Sequence, residues 1–206
     1  MFTAAQLDAI TVRGQGLLSL ERGLENSVHP LTNDVEDEPP GPKRDDMYAR
    51  GRSLLPTVTR ALGGRHWASM ALRAMQLEEW LVVAAAADTD EGGSVRFRAE
   101  LLAGLAAIGH DYSLAGAEAF CQDVWHEFVC LRDWFRARGF LAVELGRAGD
   151  ILDLLTLLGA GAARRCDGAV RVFREILDGV RVEYGADSSV VSSFAADVHN
   201  LERLLR

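Results

Sequence analysis

Leucine and alanine recur at three- and four-residue spacing along nearly the whole chain, and no stretch alternates β-branched with polar residues. A period near 3.6 gathers such positions on one face of a helix, whereas a half-buried strand needs a period of two. This one feature restricts the chain to an all-α fold. After Met47 the pattern predicts helices over 47–62, 65–87, 94–108, 113–138, 140–159, 164–184 and 188–205. Gly63-Gly64, the run from Asp88 to Gly93, and Gly185-Ala186-Asp187 punctuate them. Connections this short favour antiparallel neighbours, so a compact bundle of about seven helices is expected. A chain of 206 residues fits a single domain, and 49% apolar residues can build its core without staples.

The N-terminal part reads differently. A first helix is expected over about 4–24, despite Gly14 and Gly16, which each weaken it by about 1 kcal/mol relative to alanine. Residues 26–46 hold four of the five prolines (Pro30, Pro39, Pro40, Pro42) and six acidic residues, a composition that predicts an exposed acidic, Pro-rich loop. Pro56 falls inside the next helical pattern and predicts a kink or a split there. The clearest periodicity is at the other end. Val170, Phe173, Leu177, Val180 and Tyr184 form one seam, and Val191, Phe194, Val198, Leu201 and Leu205 form another. Two such stripes joined by a short turn predict a C-terminal αα-hairpin. Arg171 with Glu175, and Arg174 with Asp178, have the spacing of solvent-facing ion pairs.

Charge and cysteine content restrict the function. A formal charge of −8 and a pI near 5.1 argue against a nucleic-acid partner, which requires a clustered positive surface. The cations are almost all arginine, with Lys43 the single lysine, as a GC-rich bacterial genome would produce. Cys121, Cys130 and Cys166 form no CxxC pair, and an odd number suits a reducing compartment. The N-terminus lacks the basic start and apolar run of a signal peptide. No uncharged apolar stretch approaches the roughly 20 residues of a spanning helix. Cytoplasmic location, no membrane and no nucleic acid are the resulting expectations.

Two helical patterns are apolar over most of their circumference, those of 65–87 and 113–138, and such helices sit centrally or have a second partner surface. On the second, at 100° per residue, Asp123, His126, Glu127, Cys130 and Trp134 share about one quadrant. Carboxylate and histidine at i and i+3 echo the Glu-x-x-His pairs of di-iron bundles, and Glu78 on the other central helix has an apolar setting. Asp123, His126, Glu127 and Glu78 are therefore candidate ligands for iron, manganese or zinc, in a metal- or small-molecule-binding protein or an oxidoreductase. The same residues also read as solvated carboxylates beside an interfacial histidine. A full di-iron set needs two such pairs, and no acidic residue stands three before His29, His66, His110 or His199.

His110-Asp111-Tyr112 reads either as a base with a phenol donor or as a histidine on a helix C-terminus, followed by a turn with Ser113 as the next N-cap. Trp67, Trp80, Trp125 and Trp134 read as core or as the lining of an apolar pocket. Arg164, Arg165, Arg171 and Arg174 are the densest basic cluster, interleaved with Asp167, Glu175 and Asp178. Dinucleotide, P-loop, HExxH and GxSxG signatures are missing. The leading expectation is a non-enzymatic helical interaction module without a cofactor: an adaptor, regulator or inhibitor that binds a protein partner or assembles as a homo-oligomer.

Overall fold

The computed structural model describes residues 4–35, 37–88, 93–112 and 116–206; among residues 4–17, side chains are described for 15 and 16. The described residues are 85% helical and contain no strand, as the periodicity requires. Nine helices are described: α1 (Ala4–Asp34), α2 (Pro42–Leu62), α3 (Trp67–Ala87), α4 (Gly93–Ala107), α5 (Gly116–Ala137), α6 (Leu141–Leu158), α7 (Ala160–Arg165), α8 (Ala169–Tyr184) and α9 (Ser189–Leu205). No helix among the described residues is long and apolar enough to cross a membrane. The chain forms two compact units, Met1–Gln76 and Leu77–Arg206, with the boundary inside α3.

In the first unit the irregular segment is shorter than residues 26–46. α1 runs through Pro30 to Asp34, and α2 begins at Pro42. A proline inside a helix costs about 3 kcal/mol because it removes a hydrogen bond and crowds the preceding turn. Against this, Val28, Leu31 and Val35, spaced at three and four, are buried with Met47, Tyr48, Val58, Ala68, Leu72 and Met75. Burial of each aliphatic side chain contributes about 1.5–3 kcal/mol, so Leu31 and Val35, which follow the proline, together match or exceed its penalty. The hydroxyls of Ser27 and Thr32 also donate back to the carbonyls of Gly23 and Val28, at 2.9 and 3.2 Å. Pro42 occupies the first turn of α2, where a missing N–H costs nothing, and Pro56 does not split that helix. α2 ends at Gly63, whose φ of 91° lies in the left-handed region.

In the second unit α5 is buried along its main stripe, Phe120, Val124, Phe128, Leu131 and Phe135, and at Trp125. Trp125 contacts Phe173 of α8 at a centroid distance of 5.4 Å, and Phe173 meets Phe194 of α9 edge-on at 6.3 Å. This aromatic column holds the α8–α9 hairpin; of its expected seams Phe173, Leu177, Val180, Val191, Phe194, Val198 and Leu201 are buried, Val170 and Leu205 half-buried, and Tyr184 exposed. The helix expected over 164–184 is two helices. α7 closes at Cys166 and α8 starts after Gly168, whose φ of 71° is left-handed and interrupts the helical path. Arg171 pairs with Glu175 at 2.9 Å as its spacing predicts, but Arg174 and Asp178 do not pair as expected. Arg174 reaches Glu202 on α9 at 2.7 Å, and Asp178 binds Arg181 at 3.0 Å. The latter pair puts the acid N-terminal to the base, the orientation the helix dipole favours.

Candidate functional site

The four expected ligands lie in different settings. Glu78 is buried and ion-paired with Arg147 at 3.2 Å. Asp123 is exposed and accepts a hydrogen bond from the Tyr112 hydroxyl at 2.8 Å. His126 is exposed and Glu127 half-buried. Among the described residues these four do not come together as a group of three ligand atoms. Burial, and then the hydrogen bond to the Asp123 carboxylate, push the Tyr112 phenol up, which keeps it a protonated donor. His110 packs between rings: Trp80 Nε1 donates to its Nε2 at 3.3 Å, and Tyr112 stacks on it at 6.4 Å. The triplet is thus occupied by local contacts, and the N-cap expected at Ser113 lies outside the described residues. Trp80 and Trp125 are core residues, and Trp134 lies beneath the Arg138 guanidinium at 4.8 Å.

One convergence of ligand-type groups does occur, in the first unit, between residues the sequence pattern does not connect. Glu21 and Glu25 are one turn apart on α1, and His66 immediately precedes α3. Their ligand atoms all lie within 4.8 Å of one another. His66 Nε2 is 3.4 Å from Glu21 Oε1 and 3.7 Å from Glu25 Oε1. Trp67 Nε1 donates to that same Glu25 oxygen at 2.6 Å. On its other side, His66 Nδ1 accepts from the Ala68 amide at 3.3 Å, capping the start of α3 and leaving the ring proton of a neutral imidazole on Nε2. Ser69 Oγ adds a bond of 2.8 Å to the Gly63 carbonyl, which fixes the turn that presents His66. The i, i+4 spacing of Glu21 and Glu25 is legible in the sequence. Their meeting with a histidine some 40 residues later depends on how α1 packs, which periodicity does not specify.

The second feature is a groove of about 300 Å³ on the outer face of the α8–α9 hairpin. Leu177, Ala195 and Val198 form its floor, and Arg174, Asp178, Arg181, His199 and Glu202 its rim. The rim charges are paired across the groove by Arg174–Glu202 and along α8 by Arg181–Asp178. At the turn end of the same hairpin Val182 is 87% exposed, with Tyr184 and Val190 exposed near it in sequence.

Compared with known protein families, with curated proteins and with solved structures, the chain matches none.

Proposed function

We propose that the chain is a non-enzymatic helical interaction protein of the bacterial cytoplasm, an adaptor, regulator or inhibitor that receives an amphipathic helix of a partner protein on its C-terminal hairpin. The observation that supports this reading is the α8–α9 groove, with an apolar floor of Leu177, Ala195 and Val198 inside a rim of both charges. Two antiparallel helices offer a third helix a ready groove, in which apolar residues at i, i+3, i+4 and i+7 seat on the floor. Val182, Tyr184 and Val190 are further exposed apolar side chains near the turn of the hairpin. A mixed-charge rim suits a protein partner; a polyanion would need the cations unpaired.

The test is native mass spectrometry of the full chain purified gently from its own cytosol, beside an Arg181→Glu/His199→Glu variant. Both residues line the groove and are exposed; the variant gives up the surface Arg181–Asp178 pair, worth about 1 kcal/mol or less, so its melting temperature should fall by only a few degrees. The expected spectrum carries a second polypeptide in stoichiometric amount with the wild-type chain and at least tenfold less with the variant. A bare monomer or homo-oligomer, or a partner held equally by the variant, would sink the proposal.

A further inference from the structure

We propose that Glu21, Glu25 and His66 form a binding site for a divalent transition-metal ion of the zinc class, independent of the hairpin reading. An ion bound to nitrogen and carboxylate oxygen at about 2.0–2.2 Å holds two tetrahedral ligands roughly 3.4 Å apart. His66 Nε2 stands 3.4 Å from Glu21 Oε1 and 3.7 Å from Glu25 Oε1. Those separations exceed a good N–H···O hydrogen bond, which peaks at about 2.9–3.0 Å, and match the edges of a coordination tetrahedron. The two carboxylates supply two negative charges beside one imidazole, which electrostatically favours a cation.

The surroundings fit a metal ligand set. The side chains of Glu25 and His66 are 29% and 19% exposed, partly withdrawn from water yet reachable. Trp67 Nε1 donates to Glu25 Oε1 at 2.6 Å, the kind of outer contact that fixes a ligating carboxylate. Three protein ligands leave a fourth position for water. The imidazole selects the class of ion: calcium and magnesium take all-oxygen shells of six or more, whereas nitrogen with carboxylates suits zinc, manganese or iron. Coordination through Nε2 moves the ring proton to Nδ1, so the Ala68 amide loses its acceptor when the metal binds.

The test uses the full chain stripped with a chelator and titrated with zinc chloride by calorimetry, followed by amide NMR. One equivalent of zinc should bind, with calcium at least a hundredfold weaker, and the Ala68 amide should shift on binding. Glu21→Gln, Glu25→Gln and His66→Ala should each weaken zinc at least tenfold, while His126→Ala/Cys130→Ser, which removes exposed ligand groups of α5, should not. Glu21→Gln is nearly isosteric, so its metal-free melting curve should overlay the wild type and separate loss of a ligand from loss of the fold. Zinc affinity unchanged by Glu21→Gln, lost in His126→Ala/Cys130→Ser, or absent from the wild-type chain would overturn the proposal.

Discussion

Glu144 has no exposed surface and receives Arg132 Nε at 2.7 Å and Arg136 Nε at 3.0 Å. Arg132 is itself buried and reaches on to Glu175 of α8 at 2.9 Å, so one guanidinium ties α5, α6 and α8 together. Removing one member of a buried set leaves the others charged without compensation, typically at a cost of 3–5 kcal/mol. Glu144→Ala should therefore destabilise by about that amount in urea unfolding. A change below about 1 kcal/mol would show that Arg132 finds water instead. Glu175, at the exposed end, behaves differently. The hydrogen bond from Arg132, and then Arg171, hold its carboxyl below the usual carboxylate range against some opposing burial. The unfolded chain takes up that proton more readily, so the stabilisation is complete above the ordinary glutamate value of about 4.3 and fades as pH falls through the lower native value. Melting curves of wild type and Glu175→Gln should separate at pH 6–7 and draw together as the pH falls below the ordinary glutamate value; a gap that does not narrow in acid would assign the effect to packing. Of these contacts only the Arg171–Glu175 pair is legible in the sequence, where Arg132, Arg136 and Glu144 resemble any surface charges.

At the scale of elements, periodicity located most helices, and the errors fall where a local signal and a packing gain compete. Pro30 argues for an end to α1, yet the burial of Leu31 and Val35 beyond it carries the helix past. Local composition is a weak guide there because tertiary burial is the larger quantity. The reverse holds between α7 and α8, where the apolar pattern continues but the backbone turns through Gly168 at φ 71°. An L-residue in the left-handed region costs roughly 1–2 kcal/mol. Gly168→Ala should lower stability by about that much and no more, because the added Cβ meets only the flexible end of Arg171, Nη2 at 3.3 Å, which can shift. Denaturant titration checks it, and an unchanged midpoint would mean that the break between the two helices adapts without left-handed geometry.

At the scale of the molecule, each unit has a core of its own. That of the first is the cluster from Val28 to Met75. The second holds the aromatic column Trp125–Phe173–Phe194 and the buried Glu144 set. Residues 77–206 expressed alone should keep a cooperative thermal transition and near-native helical circular dichroism, since these contacts lie within them. A gradual, non-cooperative melt would show that the second core needs residues before Leu77. The candidate metal site belongs to the first unit and the hairpin groove to the second.

The sequence by itself determined the all-α class, most of the helices, the seams of the αα-hairpin and the central burial of α5. All of these follow from spacing along one helix, which a 3.6-residue period converts directly into a face. Tertiary structure decided the rest: that α1 runs past Pro30, that Arg174 turns to Glu202 rather than Asp178, and that Glu144 is enclosed by two arginines. It also decided that His66, rather than His126, is the histidine that meets two carboxylates. Each of these depends on which helices cross and at what height, and side-chain period carries no information about crossing.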